Sequence, residues 1–239
     1  TSINPYLRGS ATVVYNSAPT GNTAAYFPGS GNSGFLYDNG VQNPGIVNLQ
    51  TSNVYLEAWI YKTGSAQGAI LSQSISTGSN YNFDILVRSG NPATFSFNIF
   101  YGASASAYSV DNTSGVPLNT WVHVAASYWC KGTSSGTAYA FVNGSVNTPT
   151  TVTNTPNFVS PAKLFIGYES YGDNFQGYIR DLRVIQGGIV PTTSFTPQAA
   201  TWSYGSVPSY VTGGTNVFGL AAQYMQQIPM YGQAPQIYL

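Results

Sequence analysis

The feature that most constrains this 239-residue chain is an ordered series of short segments built on alternating bulky side chains. They are Val54–Tyr61, Trp121–Tyr128, Ala138–Gly144, Lys163–Gly167 and Gly177–Val184. Each is rich in β-branched or aromatic residues, and Gly, Ser, Thr and Asn cluster between them. Alternation with period two reads as β-strand, because successive side chains point to opposite faces. Apolar patterns of helical period are nearly absent. Many short strands with turn chemistry at such spacing predict an all-β, two-sheet antiparallel sandwich or jelly roll.

Two hairpins are legible in detail. In the first, Tyr81, Phe83, Ile85 and Val87 face one way while Asn82, Asp84 and Arg88 face the other. A turn at Ser89–Pro92 leads to Phe95, Phe97, Ile99 and Tyr101, which alternate with Ser96 and Asn98. One apolar and one polar face predict a sheet with one wet side. In the second, Asn143-Gly144 is a turn dipeptide suited to φ > 0 at both positions, and it joins Ala138–Val142 to a short return strand near Ser145–Val146.

Charge narrows the partners. Only 6% of residues are charged, and seven basic residues balance seven acidic ones, against about 25% charged residues in an average soluble domain. No basic patch can be assembled to neutralise a run of phosphates, which argues against nucleic acid. Weakly charged surfaces tend to associate, so the composition suits a surface covered by neighbours. No apolar run approaches the roughly 18 residues of a membrane-spanning helix, so no membrane insertion is expected. No signal peptide is visible, and Thr1 fits a removed methionine, a pro-segment or a trimmed start. A single cysteine, Cys130, excludes an intrachain disulfide and reads as a half-buried thiol.

Three regions follow along the chain. Residues 1–20 read as an N-terminal arm or edge strand, 21–197 as the sandwich, and 198–239 as a mostly irregular extension. Arg183 is the last charged side chain, so residues 184–239 carry none. Within the extension only Leu220–Gln227 could form a short helix, which Pro229 would stop. An uncharged tail with apolar anchors must bury them, against its own sandwich or on a neighbouring subunit. Trp202, Tyr210, Phe218, Tyr224, Met225, Tyr231 and Tyr238 are the candidate assembly contacts.

Five phrases carry a family resemblance: Ala25-Tyr-Phe-Pro-Gly-Ser30, Glu57-Ala-Trp-Ile60, Trp121-Val-His-Val-Ala125, Phe141-Val-Asn-Gly144 and Gly177-Tyr-Ile-Arg-Asp-Leu-Arg-Val184. In this order the chain resembles the laminin-G-like, pentraxin-like branch of the concanavalin A-like lectin/glucanase superfamily. The closing phrase Gly187-Gly-Ile-Val-Pro-Thr-Thr-Ser-Phe-Thr-Pro197 is similar to the subgroup found in phage and large DNA virus structural proteins. The resemblance implies a concanavalin A-like jelly roll on a tail fibre or capsid. It does not extend past Pro197.

The chemistry is sparse. Glucanases of this superfamily carry paired acids on one strand, as in E-x-D-x-x-E, and glycoside hydrolysis needs two carboxyl groups flanking one bond. Here Asp38, Glu57, Asp84, Asp111, Glu169, Asp173 and Asp181 are scattered singly, so the chain is read as not an enzyme, although distant acids could converge. The one histidine, His123, reads as structural rather than as a catalytic base. Calcium is the single candidate cofactor, because related domains carry it at the sandwich rim. Asp38, Asn39, Asp173 and Asn174 offer oxygen ligands there, and the competing reading is ordinary turn chemistry. Glu57, Arg180, Asp181 and Arg183 are charges on apolar strand faces and form a candidate structural ion-pair cluster, with Glu57 joined to Arg180 or Arg183. Trp129, Tyr168, Tyr171 and Phe175 lie in or beside polar loops and are candidate sugar-stacking rings, or else packing residues. Asn112-Thr-Ser and Asn143-Gly-Ser match the glycosylation pattern.

The function expected from the whole is a non-enzymatic virion component, a capsid decoration or tail-fibre protein. Its partners would be other virion proteins or copies of itself, with a lectin-like face open to host-surface glycans. A carbohydrate-binding module of a secreted or cell-surface protein is the alternative, and a glucanase-like hydrolase the third reading.

Overall fold

A computed structural model of the chain describes residues 6–8, 11–19, 22–30, 34–37, 47–75, 81–102, 106–132, 134–158, 162–169, 172–198 and 207–220. In chain order the strands are β1 (Tyr6–Arg8), β2 (Thr12–Ala18), β3 (Asn22–Pro28), β4 (Gly34–Tyr37), β5 (Val54–Lys62), β6 (Gly68–Ser74), β7 (Tyr81–Val87) and β8 (Ala93–Tyr101). They continue with β9 (Ser106–Val116), β10 (Trp121–Cys130), β11 (Gly136–Val142), β12 (Ser145–Val146), β13 (Thr150–Val152), β14 (Lys163–Ile166), β15 (Gln176–Gln186) and β16 (Thr215–Leu220). Among the described residues there is no α-helix. The helix expected from Leu220 onward lies outside them, apart from Leu220 itself, which closes β16.

Two antiparallel sheets form the sandwich. One is ordered β1-β4-β14-β6-β7-β8-β9, the other β12-β11-β10-β5-β15-β3-β2, with β13 also on β11 and β16 on β15. Alternation decides what each strand gives to the core. On β5, Val54, Leu56, Ala58 and Ile60 point inward, as do Val122, Val124, Ala126 and Tyr128 on β10. From the opposing sheet come Phe83, Ile85 and Val87 of β7 and Phe95, Phe97 and Ile99 of β8. This is one continuous apolar layer between the sheets, the arrangement aligned sandwiches require.

At one lateral edge, side chains rather than backbone close the sandwich. Asn112 of β9 is fully buried and donates both amide hydrogens across to β11 and the start of β12, at Ala140 O (3.0 Å) and Ser145 O (2.8 Å). Its glycosylation pattern is therefore a structural asparagine. Asn147 Nδ2 and Thr150 Oγ1 reach the carbonyls of Asp111 and Ser109. Capped in this way, that edge strand offers those carbonyls to no added strand.

The polar face of the seven-stranded sheet is wet only along β9, at Ser109 and Asp111; on β6, β7 and β8 it is buried, contrary to the expectation from alternation. Asn82, Asp84 and Ser96 are all nearly inaccessible. Asp84 and Ser96 belong to a side-chain network: Asn98 Nδ2 donates to Asp84 Oδ1 at 2.7 Å, Ser109 Oγ to Asn98 Oδ1 at 2.6 Å and Ser96 Oγ to Asp111 Oδ1 at 2.6 Å. Phe165 and Tyr168 pack together on the same side of this sheet. Period two separates the faces; it does not say whether the polar one is covered.

Candidate functional site

The outer face of the nine-stranded sheet holds the most unusual chemistry. Glu57 of β5 points away from the core and is only 3% exposed. Its Oε1 accepts from Arg183 Nε. Its Oε2 accepts from Tyr55 OH (2.6 Å) and Tyr210 OH (2.5 Å), and lies 2.9 Å from His123 Nε2. Burial alone would raise the Glu57 carboxyl. The hydrogen bond and charge of His123, the charge of Arg183 and the Tyr210 hydroxyl outweigh it and hold the group below its ordinary value. Burial first, then the Glu57 charge, pushes both Tyr55 and Tyr210 well up. Four donors on one fixed carboxylate make a structural hub, and nothing there is open to a substrate.

The chain roofs this hub itself. Ser127 Oγ donates to Pro191 O, Phe195 N to Gly144 O at 3.0 Å, and Val146 N to Ser194 Oγ. Phe195 stacks on Tyr210 with centroids 4.2 Å apart and touches Phe141, Tyr55 and His123. Val190, Val211 and Val207 complete this second apolar layer. Tyr210, named from sequence as an assembly contact, is thus engaged on its own sandwich. The backbone of Phe218 lies in β16 on β15. Trp202, Tyr224, Met225, Tyr231 and Tyr238 lie outside the described residues.

Of the four sequence-nominated charges, Arg183 pairs with Glu57 and Arg180 does not. Regular alternation would put positions 180 and 183 on opposite faces. A bulge between them, with Asp181 at φ 52°, turns both arginines to the outer side. Regular alternation would also put Ile179 on the face of Arg183 and Ile185; with the bulge, Ile179 lies in the inner core and Ile185 on the outer side. Arg180 instead lies over the rings of Trp121 (4.7 Å) and Trp59 (5.6 Å), with Asp181 Oδ2 3.9 Å from its Nε.

Around Arg180 is a feature that sequence reading missed. Tyr26 of β3, Tyr178 of β15, Tyr61 and Trp59 of β5 and Trp121 of β10 all stand partly exposed on this outer face, with Trp121 Nε1 donating to Pro19 O at 2.9 Å. Their rings run in contact: Tyr26–Tyr178 at 5.0 Å, Tyr178–Tyr61 at 6.0 Å and Tyr61–Trp121 at 5.6 Å. The alternation of each strand was visible, but the strand order that makes these rings neighbours was not.

The nominated stacking rings fare unevenly. Trp129 is 45% exposed, with Lys131 Nζ 5.0 Å over its ring. Tyr168 is buried against Phe165, and Phe175 is wholly buried edge-on to Phe27, so neither offers a face to a ligand. Tyr171 lies outside the described residues. Beside Trp129 is an open cleft of about 510 Å³ lined by Gln50–Asn53 and Cys130. Its amides are already committed: Gln50 donates to Pro156 O, and Asn53 donates to Gly188 O and accepts from Cys130 N.

The acids that looked scattered partly converge. Asp84, Glu169 and Asp173 feel one another's charge beside the seven-stranded sheet. Burial, then the Asp84 charge and the hydrogen bond and charge of Asp173, raises Glu169 to about 9; burial, with Asp173 adding and Asn98 and Arg88 opposing, raises Asp84 to about 7. Both are almost inaccessible, so no saccharide reaches them as a catalytic pair. Asp173 accepts from Gln67 at 2.5 Å and Asn174 donates to Gly172 O at 2.8 Å. Among the described residues no three His, Cys, Asp or Glu side chains gather as a metal would need. Asp173 and Asn174 thus stand in the expected rim loop with these hydrogen bonds made, and Asp38 and Asn39 lie outside the described residues.

The architecture has clear relatives. Tailspike protein 2 of an Escherichia coli O157:H7 bacteriophage superposes with a TM-score of 0.53 at 13% identity, covering 79% of this chain and 26% of its own. The binding domain of botulinum neurotoxin DC, in complex with SialylT, gives 0.52 at 16%, covering 77% and 43%. The chain thus spans about a quarter of the one and less than half of the other, and at these identities the likeness is one of fold. No curated protein sequence matches the chain. A family model described as the concanavalin A-like lectin/glucanases superfamily, of laminin G type, matches residues 31–192. Since that match spans more than half of the sequence and the two-sheet sandwich agrees with it, the chain belongs to the concanavalin A-like lectin/glucanase superfamily.

Proposed function

We propose that this chain is a non-enzymatic, lectin-like module of a viral structural protein, a capsid decoration or tail-fibre component, whose aromatic outer face stacks on carbohydrate. The observation that carries the reading is the contiguous, partly exposed row Tyr26, Tyr178, Tyr61 and Trp121 beside Trp59. Amphipathic rings with one face dry and polar groups at their edges suit the apolar CH face of a pyranose. Residues 190–211 roof the other half of the same face, while the rings of this half remain partly exposed. A saccharide-bound neurotoxin domain and a phage tailspike share the fold. The phrase Gly187–Pro197 supports the viral setting; a module of an extracellular or cell-surface protein is the alternative.

The test is binding of the full chain to an immobilised glycan panel, repeated with Trp121→Ala and Tyr178→Ala. Retention of a saccharide class, weakened about tenfold or more by either change, is the expected result. Absence of retention across the panel, or retention untouched by both changes, would overturn the reading. Antibody to the chain should label the surface of intact virus particles; labelling confined to cell envelopes would favour the alternative.

A further inference from the structure

We propose that Trp129 and Lys131 form a second ligand site, at the opposite end of β10 from Trp121, and that it takes a saccharide bearing a carboxylate. The site is separate from the row of Tyr26, Tyr178, Tyr61 and Trp121 and does not depend on it. Among the described residues Trp129 is one of two large apolar side chains that stand exposed, at 45%. Val122, Val124, Ala126 and Tyr128 of the same strand point into the core, so alternation turns Trp129 outward. The backbone that carries it is tied down: Cys130 N donates to Asn53 Oδ1 at 2.9 Å and Lys131 N to Ser135 O at 3.0 Å. An exposed indole on a fixed backbone is a stacking platform for the CH face of a pyranose.

Lys131 sets the charge of the ligand. It is exposed, with its Nζ 5.0 Å over the Trp129 ring. No carboxylate among the described residues pairs with it: Asp111 meets Arg88, Glu57 meets Arg183 and Asp181 meets Arg180, while Asp84, Glu169 and Asp173 lie together beside the other sheet. An exposed cation–π contact is weak and a lysine stem is flexible, so an incoming carboxylate draws the ammonium off the ring at little cost and uncovers the indole. The open cleft of about 510 Å³ is lined by Cys130 and Gly132, the chain neighbours of Trp129 and Lys131, and by Gln50–Asn53. Thr51 and Ser52 bring hydroxyls there and no charge, which suits sugar hydroxyls and does not repel an acid. Lys131 is the one cation at this cleft among the described residues, which matches a ring with a single carboxylate better than a run of acidic amino acids.

The experiment titrates the full chain with 3′-sialyllactose, digalacturonic acid, lactose and tetraglutamate by calorimetry at low and high salt. It also follows the Trp129 indole N–H by NMR, assigned by its loss in Trp129→Phe. At least one acidic saccharide is expected to bind about tenfold or more tightly than lactose and to shift that signal, with the difference shrinking as salt rises. Lys131→Gln should abolish the difference and Lys131→Arg should keep most of it. Trp129→Ala should weaken the acidic saccharide about tenfold or more. Both side chains are exposed, so these variants keep the fold. Trp121→Ala should leave the acidic preference unchanged. Equal affinity for acidic and neutral sugars, a preference untouched by Lys131→Gln, or a Trp129 signal that does not move overturns the proposal. Tetraglutamate binding as tightly as any saccharide overturns it in favour of a protein partner. An acidic preference lost in Trp121→Ala but kept in Lys131→Gln overturns it and leaves the aromatic row as the carbohydrate site. No binding of any sugar overturns both.

Discussion

The Tyr210 hydroxyl donates to Glu57 Oε2 at 2.5 Å, joining two residues 153 positions apart. That contact pins the Val207–Val211 segment to the sheet, because Glu57 is itself fixed by Arg183, Tyr55 and His123. Tyr210→Phe keeps the ring stack on Phe195 and removes one hydrogen bond to a charge, costing about 1.5–3 kcal/mol. Glu57→Gln leaves Arg183 buried without its countercharge and should cost about 3–5 kcal/mol. In urea unfolding the double variant should lose less than the sum of the two, since both remove the same contact. Unchanged stability of Glu57→Gln would sink the ion-pair account.

The two raised acids set an unusual pH dependence. Asp84, at about 7, and Glu169, at about 9, hold protons when folded that the unfolded chain releases from about pH 4 upward. Their contribution therefore favours the folded state at low pH and declines as the pH rises through those values. Glu57 acts in the opposite sense: held below its ordinary 4.5, it contributes stability above that pH and loses it as the pH falls through its folded value. Tm is expected to peak near pH 5 and fall toward pH 9. Asp84→Asn should flatten the alkaline limb, on the order of 3 kcal/mol at pH 8. A melting profile that rises from pH 5 to 9 would contradict the assignment.

Gly144 is required for two reasons that can be separated. Its φ is 75°, and a Cβ there would stand 1.9 Å from Phe195 O. Gly144→Ala combines about 1–3 kcal/mol of backbone strain with displacement of the Phe195 segment. Gly102 has φ 67° with nothing within 4 Å of a Cβ, so Gly102→Ala reports the strain alone. Chemical denaturation should show Gly144→Ala clearly the more destabilising, with faster amide exchange at Phe195. Equal costs would mean that the segment is not seated against the turn.

Of the four strands that bear the resemblance phrases after Ser30, β5, β10 and β11 were readable because each alternates cleanly, and β15 was readable as a strand although its bulge breaks the alternation. The Asn143-Gly144 turn was readable too, since both residues take the positive φ their types allow, 49° and 75°. The pairing partner of Glu57 was narrowed to two arginines and not to one. The deciding element, the bulge at Asp181, has no marker in alternation, because an inserted residue looks the same as any other. Tyr168 and Phe175 were misplaced because a ring flanked by polar loop residues can turn inward as easily as outward.

Local patterning thus determined the all-β class, the inward rows of Val, Ile and Phe, and the family. Period two and turn chemistry act within a few residues and survive any arrangement of the strands. Tertiary structure decided the rest: that Asp84, Glu169 and Asp173 feel one another's charge, that the polar sheet face is covered on β6, β7 and β8, and that Tyr210 closes on its own domain. It also placed Tyr26, Tyr178, Tyr61 and Trp121 from four neighbouring strands in one row. Each of these depends on which strand lies beside which, and that order comes from the free energy of burying the whole apolar layer at once, which no single segment carries.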